Sequence, residues 1–176
     1  MANTHIIFQP LRMASQDVAS YDRVIVSATD LDNGALVIET TPANSTFASA
    51  LKDMNTYTAT APTAVATQKL LVVDSSEVAF IDGEWRINTA DPRKNYVPAG
   101  RPAKARQLMQ GDEFLVSANA FATAPTVGQY AVGANTLTTF APSATLPTTA
   151  TGFAVVEATN FSVGRVNVAG YRLRVL

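Results

Sequence analysis

Turn-forming residues cut this chain into short apolar runs. RVIVS, ALVIE, LLVV, EVAF, EFLVS, QYAV, FAVVE and RLRVL are each only four or five residues long. Gly, Pro, Asn or Asp stands between most of them. None is long enough to sustain the 3.6-residue period of a helix, whereas each suits a strand of ordinary length. Strands at this spacing, joined by Gly/Pro/Thr turns, predict an all-β chain: a small antiparallel β-barrel or sandwich. Hydrophobic residues make up 47% of the chain, enough for a packed core, and charged residues only 15%, too few for a disordered chain or a coiled coil.

Local signals place several elements. Asn33-Gly34 lies between Tyr21–Ser27 and Ala35–Thr41, and the dipeptide predicts a type I′ hairpin joining two paired strands. Asp82-Gly83 predicts a second hairpin whose outgoing strand, Glu84–Ile87, carries Trp85 into the core. Gln110-Gly111-Asp112 reads as a turn between a strand near Ala105–Leu108 and one over Glu113–Ser117. Further strands are expected near Tyr57, Gln129–Val132, Leu137–Phe140, Phe153–Glu157 and Arg165–Leu176, and a short helical turn over Phe47–Met54 with Ser45 as its N-cap. In the last strand Tyr171, Leu173 and Val175 alternate with Arg172 and Arg174, the pattern of a half-exposed strand. Residues 1–20 read as an N-terminal arm, with Pro10 ending any helix and THIIF suited to a strand that pairs with a neighbouring subunit. Residues 21–176 read as the β-rich domain, either whole or as two lobes, 21–87 and 104–176, joined by a basic segment over 88–103.

The search for chemistry returns little. The chain has no cysteine and one histidine, His5, so disulfides and thiolate sites are excluded and any serine triad would depend on that single terminal residue. No G-x-S-x-G elbow or glycine-rich phosphate cradle occurs. Asp30 and Asp32 share a face beside a turn and could meet a hard cation, but Asp more often caps such turns through backbone N–H groups. Asp112 and Glu113 point to opposite faces of a strand and do not form a pair. The expectation is a non-enzyme with no catalytic residue, no cofactor and no metal. The N-terminus lacks a basic start and a long apolar run, and no window approaches the length of a membrane span. This predicts a protein soluble in the host cytoplasm.

Net charge is −1, so any electrostatic function is local. One stretch, from Glu84 to Phe114, collects Arg86, Arg93, Lys94, Arg101, Lys104 and Arg106 with Asp91 the one acid among them. Pro92, Pro98 and Pro102 predict a long, proline-rich basic loop from about Asn88 to Ala103. A docking arm and a solvated loop account for it equally well. Stacking of bases would need aromatics among the cations, and Tyr96 and Trp85 are the only ones present.

Three stretches carry a resemblance: YDRVIVSATDLDNGALVIE, LLVVDSSEVAFIDG and AGRPAKARQLMQGDEFLVSANAF, followed by a Gly/Thr-rich end and a terminal strand. In this order, and with Leu108-Met109-Gln110-Gly111-Asp112-Glu113-Phe114 in the third, the chain resembles the head decoration, or capsid-stabilising, proteins of tailed bacteriophages. NTADPRKNYVPAG is longer and more basic than that pattern. The resemblance implies a virion protein on the capsid surface, bound to the major capsid protein, with self-association into a homo-oligomer as a further partner and no membrane. Nucleic acid is not an expected partner. Partner-contacting residues are then expected at His5, Ile6, Ile7 and Phe8 in the arm and at Arg86, Arg93, Lys94, Tyr96, Arg101, Lys104 and Arg106 in the basic segment. A head-fibre base or tail-associated adaptor is the alternative within that class. A small barrel binding nucleic acid or carbohydrate is the alternative outside it.

Overall fold

The computed structural model describes residues 5–18, 21–42, 56–75, 78–81, 84–87, 91–163 and 165–176, with the backbone alone for 41–42, 78–81 and 84–87. The expected helical turn over Phe47–Met54 and the side chains of Trp85 and Arg86 lie outside the described residues. The chain is all-β. Its strands are β1 (Phe8–Arg12), β2 (Asp22–Ser27), β3 (Leu31–Asp32), β4 (Leu36–Pro42), β5 (Thr56–Thr60), β6 (Leu71–Val73), β7 (Val78–Ile81), β8 (Glu84–Ile87), β9 (Tyr96–Val97), β10 (Pro102–Gln107), β11 (Glu113–Ser117), β12 (Tyr130–Gly133), β13 (Phe140–Ser143), β14 (Gly152–Val163) and β15 (Val166–Val175). A one-turn helix, α1 (Ala14–Asp17), follows β1.

Barrel and sandwich are both present. β10, β2, β5, β4 and β6 close a barrel in that order, and β1, β11, β15, β14, β12 and β13 form a six-stranded sheet. The barrel is lined by small and branched side chains, among them Ile25, Val37, Ala59, Val73, Ala103 and Ala105. Leu36, Ile38, Leu70 and Val72 point the other way. They share one core with Phe8, Phe114, Phe140, Phe153 and Leu173 of the sheet. β4 and β6 are therefore buried on both faces, which is why ALVI and LLVV read as continuous apolar runs rather than alternations. The rings in this core meet mostly tilted or edge-on: Phe114–Phe153 at 5.9 Å and 83°, Phe140–Phe153 at 5.1 Å and 71°.

Three local expectations change. The Asn33-Gly34 turn does not join a paired hairpin. β5 lies between β2 and β4, and it runs parallel to β2, the one parallel pair in the barrel. Gly34 alone has positive φ, at 82°, and Ala35 N donates to Asp32 O at 3.2 Å, a type II-like turn leading from β3 into β4. The Gly111-Asp112 turn likewise joins no hairpin, because β10 belongs to the barrel and β11 to the sheet. It is a crossover held by the buried Asp112, whose carboxylate accepts from Met109 N at 2.9 Å and Ala14 N at 2.8 Å. The strand expected over Leu137–Phe140 lies further on, at Phe140–Ser143. The Asp82-Gly83 hairpin forms as expected, with Ile81 opposite Glu84 and Val78 opposite Ile87.

A division at 88–103 does not follow the sheets. β10 completes the barrel built by residues 22–73, and β1 pairs with β11 in the other sheet.

Candidate functional surface

The N-terminal segment and the basic segment meet. His5 N donates to Arg93 O at 3.2 Å, and the His5 ring stacks on Tyr96 with centroids 4.9 Å apart and planes 13° apart. Asp32 fixes the junction. One carboxylate oxygen accepts from His5 Nδ1 at 2.7 Å and the other from Ile6 N at 3.2 Å. Tyr96 is brought there because β9 pairs with β3, Tyr96 opposite Asp32. The second carboxylate of the suspected cation pair is also engaged: Asp30 accepts from Ala99 N at 2.8 Å. Both act as backbone acceptors beside turns, the commoner role of Asp there.

Asp91 opens a short 3-10 turn, Pro92–Lys94, accepting from Arg93 N at 3.1 Å. The same carboxylate takes two bonds from the Arg93 guanidinium, Nε and Nη2, each 2.8 Å. This side-chain bond, helped by the Arg93 and Lys94 charges and opposed by burial, holds the Asp91 carboxyl below its ordinary value; the Arg93 guanidinium is raised by the same bond. Lys94 is exposed beside it.

The remaining expected contact residues have other positions. Ile6, Ile7 and Phe8 are buried within this chain, so the arm is not free for a neighbour. β1 is an edge strand, but Pro10 and a register shift between Pro10 and Arg12 guard its open side. Arg106 is 8% exposed and bonds Asp74, itself 6% exposed, with Ser15 Oγ at 3.1 Å and Asp22 at 3.5 Å. It is a structural ion pair between β10 and the end of β6. Lys104 joins it at Asp22, 3.0 Å away. Arg101 is exposed in a turn pinned to β2 by Gly100 N donating to Ser27 O at 2.7 Å. The long irregular excursion is thus shorter than expected: Asn95 and Val97 are buried and β10 begins at Pro102, at a strand's first residue where Pro is tolerated.

One region escaped the sequence reading. β14 and β15 pair as far as Val163 opposite Val166, whereas β11 accompanies β15 only to Ser117 opposite Gly170. The hairpin therefore runs past its sheet. Phe161, Val163 and Val168 on it pack with Ile7 and Leu115 as a separate small cluster. Two grooves flank the Pro92–Lys94 turn beside this hairpin. Pro92 lines one with Ile7, Gln9 and residues 160–163; Arg93 lines the other with Ala118, Asn119 and residues 166–169. Asn, Ser and Ala carry no sequence signal for such a place; only the pairing order reveals it.

Among the described residues, no group of His, Asp and Glu is arranged to hold a metal ion, and no helix is long and apolar enough to cross a membrane. No family model, curated protein or solved structure matches the chain.

Proposed function

We propose that this chain is a virion structural protein that binds the outside of an assembled tailed-phage capsid and strengthens it, with the major capsid protein as its partner and no catalytic step. The observation that carries the reading is the junction of the N-terminal segment with the basic turn. His5, Tyr96, Arg93 and Lys94, drawn from two distant parts of the sequence, form one surface. A rigid all-β body bearing a small basic surface suits a binding module. Each exposed ion pair contributes only about 0.2–1 kcal/mol, so repetition over a symmetric shell would supply the avidity.

Sedimentation with purified undecorated shells tests this. The protein is expected in the shell pellet at near-physiological salt, and progressively in the supernatant as salt screens the charges. Absence from the pellet at low salt overturns the reading. Retention by single-stranded DNA with a steep salt dependence, and none by shells, would transfer it to the nucleic-acid class.

A further inference from the structure

The sheet has several open edges, and they differ in how they are guarded. β1 carries Pro10 and a bulge, and β13 carries Pro142 opposite Ala131. β14 is bent by a register shift between Val155 and Glu157, and its far end faces the apolar cluster with Ile7 and Leu115. Pro, bulges and cover are the ordinary devices that stop a foreign strand from pairing. The β15 edge over Val166–Ala169 has none of them. β11 leaves it abruptly, because the buried Ser117 hydroxyl accepts from Ile7 N at 2.8 Å and bonds the Asn119 side chain, turning the chain into the 3-10 turn Ala118–Ala120. Past Gly170, no described residue pairs with β15 on that side. In place of a strand there is the groove lined by Arg93, Ala118, Asn119 and residues 166–169.

We propose that this edge takes an extended, acidic segment of the partner as an added strand, continuing the line that β11 abandons. An added strand would satisfy the outward backbone groups of Val166–Ala169, and side chains would supply the specificity. The charge defines the occupant. Lys94 lies next to groove-lining Arg93, Arg165 lies next to groove-lining Val166, and both are exposed. The neighbouring acid, Asp91, is already held by Arg93. Val166, 43% exposed, offers an apolar contact beside them. An acidic strand with an apolar residue near its carboxylate fits. A second copy of this chain fits poorly, because two such edges would bring Lys94 and Arg165 against their equivalents. The inference rests on the capsid reading and names the shell element: an acidic extended segment of the major capsid protein.

The test uses the full chain with undecorated shells. Amide hydrogen exchange of the wild-type protein is measured free and shell-bound, and sedimentation is repeated with Ala169→Trp, which fills the groove from an exposed position, and with Lys94→Glu/Arg165→Glu. Expected are slowed exchange over 166–169 on binding and at least tenfold weaker sedimentation of both variants, with melting temperatures near wild type. Wild-type binding without protection at 166–169, and with Ala169→Trp bound as tightly, overturns the strand addition and leaves the capsid reading standing. Failure of the wild type to bind overturns both. A concentration-dependent dimer that Ala169→Trp abolishes makes a second copy the occupant and likewise overturns the proposal.

Discussion

Gly34 has a φ of 82°, and a Cβ there would lie 3.0 Å from Ile6 Cγ2 and 3.2 Å from Phe8 Cβ. Backbone strain and overpacking act together, so Gly34→Ala is expected to cost about 2–4 kcal/mol, read as a lower urea midpoint at unchanged slope. The Asn-Gly dipeptide announced a turn at this place, and a turn is there. It could not announce that the N-terminal strand crosses it, since that contact joins residues far apart in sequence. Arg106 makes the same point with the opposite outcome. A count of cations grouped it with Arg93 and Lys94, but its partner Asp74 lies on another strand and both are buried. Arg106→Ala leaves a buried carboxylate without its cation and should destabilise by about 3–5 kcal/mol. Arg106→Met with Asp74→Leu should cost much less than the sum of the two single changes; additive losses in chemical denaturation would contradict the pairing.

At the scale of elements, what was legible was what is local. The β7–β8 hairpin and the alternation of β15 depend on neighbours in sequence, and both form as the pattern implies. The pairing of β2 with β5, parallel and across an intervening strand, depends on barrel closure and leaves no local trace. The β14–β15 hairpin has a packing requirement of its own. A Cβ at Gly170 would lie 2.6 Å from Val116 O and collide with the Phe161 ring. Because one obstacle is backbone, Gly170→Ala should part β11 from β15 and lower the melting temperature. Phe161→Ala in the same chain should relieve only the ring's share of the clash. The Pro92–Lys94 turn is tied by a different force. Its Asp91 carboxyl is held below the usual 3.8, chiefly by the Arg93 side chain, so the stabilisation is present above that value and lost as pH falls through the lowered one. The melting-temperature difference between wild type and Asp91→Asn should be small, constant near neutrality, and vanish in acid. A difference that grew on acidification would contradict the assignment.

The whole molecule is joined through a core that neither sheet owns. Leu36, Ile38, Leu70 and Val72 stand on barrel strands, yet their neighbours are Phe114, Phe140, Phe153 and Leu173 of the sheet. β1 ties the ends of the chain together in the same way, placing Phe8 5.5 Å from Phe114. An apolar surface shared this widely makes independent melting of the two layers costly, since either alone would expose its half to water. Leu36→Ala, at a fully buried position, is therefore expected to cost about 2–5 kcal/mol and to be felt in both layers. Hydrogen exchange should show the amides of β14 and β15 losing protection along with those of β4 and β6, and calorimetry should show one transition shifted down. Two resolved transitions, with only the barrel's displaced, would mean that the shared core does not couple the layers. A body that unfolds as one unit would also hold the His5–Tyr96 junction and the open β15 edge in fixed relation, and simultaneous use of both against a symmetric shell depends on that.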